Sequence, residues 1–145
     1  MGNSGLGVKI SNWSDGNRTI EALQAARGKV IQTITMKAAD DRGVYADSLI
    51  LGFNDSALEM WDDGQSCCET RYMHTDDDLT GFLGAEFRNI EVRDAPNRDD
   101  ESEEHEVQFL LVHTSLGTFT IETHNIHNGY YGGFSVVART VENSV

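Results

Sequence analysis

The chain of 145 residues carries 24 Asp and Glu against 11 Lys and Arg, a formal charge of −13, and is 39% hydrophobic with a single proline. That length suffices for one domain that buries its own core without a metal or disulfide staple. No apolar run approaches the roughly 18 to 20 residues that span a bilayer, and the acidity disfavours direct contact with nucleic acid or an anionic membrane. The first residues lack a basic region before an apolar stretch, and Leu6 stands where a myristoylation signal needs Ser or Thr. A cytoplasmic, single-domain protein without a cofactor is the expectation.

Residues 1–16, rich in Gly, Asn and Ser, read as a flexible arm. From Asn17 to Gly28 the spacing of Ile20, Leu23 and Ala26 predicts a short helix, capped by Asn17 and stopped by Gly28. Lys29 to Lys37 is β-branched and reads as a strand, and Ser48 to Phe53 with Ala57 to Trp61 reads as a hairpin about Asn54, Asp55 and Ser56. Asp62, Asp63 and Gly64 suggest a turn. Helix starts are expected at Ser66 to Glu69 and at Thr75, the second ending near Gly84. Strands follow at Ala85 to Arg93, His105 to Thr114, Gly117 to His124 and Gly132 to Thr140, the middle two joined through Ser115 and Leu116. The sum is an α+β domain over residues 17–140: a bent antiparallel sheet of about seven strands with two or three short helices, and a tail at 141–145.

Residues 94–104 hold the only proline and six acids, and read as a solvated loop. Removing residues 93–106 still leaves 17 acids against 9 bases, so the acidity is global. Two readings stand: acidic charge that simply keeps the protein soluble, and the sharper one, presentation of carboxylates to a basic partner.

Chemistry-bearing residues concentrate between Glu122 and Phe134. His124 and His127 suggest a metal pair with Glu122 or a cysteine, against which stands their use in pinning a tight turn at Asn128 and Gly129. Asp76, Asp77 and Asp78 read as helix caps before they read as cation ligands. Cys67 and Cys68 are adjacent, and a vicinal disulfide is strained, so two reduced structural thiols are expected. A cysteine hydrolase with His74 or His124 as base has no diagnostic spacing. Nucleotide binding suits the cluster better. Tyr130, Tyr131 and Phe134 offer flat faces to a base, Asn125 and Asn128 can pair with base or ribose edges, and Arg71, Arg88 and Arg139 are candidate phosphate partners.

Four boxes occur in order: DGQSCCE from Asp63 to Glu69, DDDL from Asp76 to Leu79 before Gly84, EVQF from Glu106 to Phe109, and HNGYY from His127 to Tyr131. Together they resemble an uncharacterised domain family frequent in phage and prophage genomes, over roughly residues 30–138. The chain is also distantly similar to the Thoeris anti-defence 1 proteins, phage-encoded oligomeric sponges for cyclic ADP-ribose-type signals and cyclic oligonucleotides. The resemblance implies a homo-oligomeric anti-defence protein in the cytoplasm of an infected bacterium, which sequesters a nucleotide-derived immune signal without cleaving it. The ligand would be held by Arg71, Asn125, Asn128, Tyr130, Tyr131 and Arg139, with no catalytic residue and no metal. The alternative is an acidic, nucleic-acid-mimicking inhibitor of a basic host defence protein such as a CRISPR or restriction complex.

Overall fold

A computed structural model of the chain describes residues 14–38, 47–63, 70–99, 103–129 and 133–142. The one α-helix among them, α1 (Ser14–Ala26), begins three residues before the expected cap, so residues 14–16 belong to it and not to an arm. It ends before Gly28, whose φ of 87° is the left-handed conformation that glycine adopts without steric cost. Eight strands follow: β1 (Thr33–Lys37), β2 (Ser48–Gly52), β3 (Ser56–Asp62), β4 (Thr70–His74), β5 (Phe87–Ala95), β6 (Glu104–Thr114), β7 (Gly117–His127) and β8 (Val136–Glu142).

The strands form two antiparallel four-stranded sheets, ordered β1-β2-β3-β8 and β4-β7-β6-β5. This corrects the expected α+β domain with one bent sheet of about seven strands and two or three helices. The chain is mostly β, with eight strands in two sheets. The helix expected from Thr75 is a single 3-10 turn at Leu79–Phe82, where Asp78 accepts from the Thr80 N–H and hydroxyl and its carboxyl is held below the usual range by those bonds. Its neighbours are also occupied: Asp77 accepts from the Thr120 N–H and Asp76 pairs with His74. The helix start expected at Ser66 to Glu69, with Cys67 and Cys68, lies outside the described residues. The extra strand is β4, which had no expected counterpart. Asp62, read as part of a turn, is the buried last residue of β3.

Alternation along the strands builds the core. Leu49, Leu51, Leu58, Met60, Val136 and Ala138 of the first sheet join Ile90, Val92, Leu110, Val112, Phe119 and Ile121 of the second in one buried cluster. Each face contributes every second residue, as the period of a pleated strand requires. Ala22, Leu23 and Ala26 bring α1 into the same cluster. The helix also closes the outer edge of β8: the Ala138 N–H donates to Thr19 Oγ1 at 3.1 Å, and the Thr19 hydroxyl faces the Ala138 carbonyl at 3.5 Å. An otherwise bare sheet edge is thereby covered. In the second sheet, Gly117 at φ 122° turns the β6–β7 hairpin through Ser115 and Leu116, as the sequence predicts.

Candidate functional site

The inward face of the second sheet is apolar only over half its length. Register places Ile90, Val112 and Phe119 in one row across the strands, then Val92, Leu110 and Ile121 in the next. The row after that is Asp94, Gln108, Thr123 and Met73, followed by Glu106, Asn125 and Arg71. The alternation of these strands thus carries polar side chains into a buried position. Gln108, Thr123, Asn125 and His127 are all buried, Asn125 completely.

Burial demands partners for such groups. Arg71 Nη1 reaches both oxygens of Asp62 across from the first sheet, at 2.9 and 2.8 Å, with both side chains almost wholly enclosed. Asp62 Oδ1 also accepts from the Ser135 N–H at 2.8 Å. Asn125 Nδ2 donates to the Gly133 carbonyl, and the Gly133 N–H donates to Glu106 Oε1. The same Glu106 oxygen accepts from His127 Nε2 at 2.8 Å, while His127 Nδ1 accepts from the Gly129 N–H at 3.0 Å. His127 therefore carries its proton on Nε2 and fixes the turn at Gly129, whose φ is 92°. That is the turn-pinning role expected for His127.

Beside this network opens a cleft of about 340 Å³, between the ends of β5 and β6 and the segment leading into β8. Asp94, Asn97, Glu106, Gln108, Gly133 and Phe134 line it, so its polar wall is made of carboxylates and carboxamides. Gln108 Nε2 donates to Asp94 Oδ1 at 3.1 Å.

The outward face carries a separate cluster. His124 lies between Glu122, 2.8 Å from its Nε2, and His105, whose Nε2 is 2.8 Å from His124 Nδ1. Tyr72 stacks on the His124 ring at a centroid distance of 4.4 Å and 3° between planes. Burial holds His124 below its ordinary pKa, with Glu122 opposing. Its Nε2–H donates to Glu122, so Nδ1 accepts from His105. His124 and His127, three residues apart on one strand, point to opposite faces and cannot share an ion. No group of three metal-ligating side chains occurs among the described residues.

The structure brings together only part of the expected ligand set. Arg71 and Asn125 are direct cross-strand partners, though their side chains serve the internal network. Arg139 lies on the other sheet, bound to Glu59 at 2.7 Å and over the Trp61 ring, and Arg88 sits by Glu86. Asn128 is exposed just after β7. Tyr130 and Tyr131 lie outside the described residues. Asp94, Asn97 and Gln108 line the cleft without having been among the expected ligand residues. The signal available was the broken alternation of β6, where Glu106 and Gln108 occupy the inward positions that Leu110 and Val112 fill further on.

Two antiparallel sheets around a shared core, with a polar cleft at one end, define the protein as a mostly β domain with a candidate binding site. The chain belongs to the family defined by a domain of unknown function (DUF7448), which matches residues 17–137. No curated protein and no solved structure gives a match. No helix among the described residues is long and apolar enough to cross a membrane.

Proposed function

We propose that this protein acts by binding and not by catalysis, and that its partner is positively charged. It is the acidic, nucleic-acid-mimicking inhibitor of a basic host defence protein that the sequence offers as the alternative to a sponge, working in the cytoplasm of an infected bacterium. The observation that carries this reading is where the charges go. Arg71 and Arg139, the arginines first assigned to phosphate, are each spent on an internal carboxylate, while the cleft presents Asp94 and Glu106. Lys29, Arg88, Arg93 and Arg98 are likewise set against Asp55, Glu86, Glu91 and Glu122. Six cations are thus set against carboxylates, and the chain as a whole keeps a net charge of −13, a field that attracts basic surfaces and repels phosphate. The test is affinity for a basic peptide such as heptalysine across a salt series. Affinity should fall steeply between low and physiological salt; no binding at low salt would sink the reading.

A second reading, sequestration of a nucleotide-derived signal, draws support from one place. Phe134 lies beside the carboxamides of Asn97 and Gln108 in the cleft, a combination that suits a base. The phosphates would then have to face solvent or a second subunit. Native mass spectrometry of the purified protein, followed by heat release of whatever it carries, tests both points at once. A co-purified nucleotide recovered intact from an oligomer favours the sponge; an empty protein that still captures basic peptide favours the inhibitor.

A further inference from the structure

We infer that this protein forms a two-fold dimer by pairing β1 with the β1 of a second copy. The inference stands on the backbone and is independent of what the cleft binds. A sheet edge is a row of backbone donors and acceptors that natural proteins cover or blunt. Two four-stranded sheets have four such edges. At β8 the Ala138 N–H is taken by Thr19, and at β4 the Met73 N–H is taken by Asp47 Oδ2 at 3.0 Å. At β5, Phe87 bonds Gly28 and Lys29, and Ile90 and Val92 are only 1% and 4% exposed, so that edge lies under other parts of the chain.

The edge left over is β1. The Phe53 N–H donates to the Ser56 carbonyl, which turns the odd-numbered residues of β2 toward β3 and leaves Ser48, Ile50 and Gly52 facing β1. Their partners Lys37, Thr35 and Thr33 therefore bond β2, and Ile34 and Met36 direct their N–H and C=O groups away from the sheet. Among the described residues no hydrogen bond reaches those four groups. Both side chains are half-buried against the core, while Thr33, Thr35 and Lys37 are exposed on the other face. Between Thr33 and Lys37 the register runs without a bulge, and the strand holds no proline and no inward charge.

Pairing two copies antiparallel about Thr35 sets Ile34 of each opposite Met36 of the other. The outward groups of both strands then bond one another in full, and two four-stranded sheets become one continuous sheet. Thr35 meets Thr35, a favourable cross-strand contact, and Lys37 meets Thr33, so no like charges are opposed. Charge also selects this occupant. Residues 22–39 hold Arg27, Lys29 and Lys37 and no acid, so the edge repels a basic strand. Two copies of a chain with net charge −13 can approach here along segments free of carboxylates. The strand is short, so the interface is small and the dimer weak and dependent on concentration.

The test is sedimentation equilibrium of the full chain over a concentration series, at low and at physiological salt. The dimer should tighten as salt screens the repulsion between two acidic copies, opposite to the salt dependence expected for capture of a basic peptide. Thr35→Lys and Thr35→Glu each place like charges face to face and should weaken the dimer more than about tenfold. An equimolar mixture of the two variants should restore it as a heterodimer. Thr35 is exposed, so both variants should keep the wild-type melting temperature. In the wild type, amide exchange at Ile34 and Met36 should slow as concentration rises, which reads the same edge without a substitution. A protein that stays monomeric at millimolar concentration in physiological salt would overturn the inference. So would a dimer unmoved by Thr35→Lys, or one that leaves the Ile34 and Met36 amides unprotected, because either places the contact elsewhere.

Discussion

The two ends of one sheet face obey different rules. Where β6 and β7 bury Leu110, Val112, Phe119 and Ile121, the face is held by contact area and shape. Four to six residues further along the same strands it is held by directed bonds, among Asn125, Gly133, Glu106 and His127 and between Arg71 of β4 and Asp62 of β3. An apolar end tolerates trimming because each methylene is a small term. A networked end does not, because removing one member strands the others in a medium that cannot solvate them. That asymmetry is the expected mark of a binding site grafted onto a core.

The sharpest test of the difference is Arg71→Ala, which leaves the Asp62 carboxylate buried without its counter-charge. It should cost about 3–5 kcal/mol in chemical denaturation. Restoring part of that loss with Asp62→Asn in the same chain would show that the unpaired charge, and not lost packing, is the cause. A loss under about 1 kcal/mol would place Arg71 with surface ion pairs.

Along β7, two substitutions to the same residue should have opposite signs. Ile121→Val trims the apolar end and should cost about 0.5–1.5 kcal/mol. Thr123→Val, one inward position further, replaces a buried hydroxyl that has no hydrogen-bond partner, and should raise stability by about 1 kcal/mol. Equal losses at both positions would show that Thr123 is satisfied in solution and that the boundary between the two ends lies beyond it.

The smallest effect concerns the opposite face. Burial depresses the His124 pKa below its ordinary 6.5, so the unfolded chain takes up a proton that the folded protein resists. The associated stability is present above about 6.5 and is lost as pH falls from there through the depressed value. His124→Gln should therefore flatten the fall in melting temperature between pH 7.5 and 5, relative to wild type.

The apolar end was legible in the sequence and the polar end was not. The β6–β7 hairpin announces itself through alternation on both sides of Ser115, Leu116 and Gly117. The strand β4 does not, because Arg71, Tyr72 and His74 interrupt any apolar period, and only pairing with β7 makes TRYMH extended. The division into two sheets left no local mark either. It depends on β8 reaching β3 and on β4 reaching β7, contacts between distant segments. Arg71 and Asn125, expected to hold a ligand, lie side by side on β4 and β7, and their partners Asp62 and Gly133 could not be read from spacing. Glu106 and Gln108 lay within the EVQF box, unassigned, because a polar residue on an inward position looks like solvent-facing alternation until its register is known.

The Thr19–Ala138 contact has a consequence for how the protein is made. It joins residues 119 apart, and the strand it covers is the last one of its sheet. While the chain is being synthesised, α1 has no β8 to cover and β3 has a free edge, so neither the first sheet nor the helix can reach its final place until residue 138 has left the ribosome. The second sheet, whose strands all lie between residues 70 and 127, is free to assemble earlier. The polar network would then close last, when Asp62 and Gly133 arrive on either side of β8's entry to meet Arg71, Asn125 and Glu106. The cleft, lined by Gly133 and Phe134 as well as by β5 and β6, is complete only when the segment leading into β8 is in place.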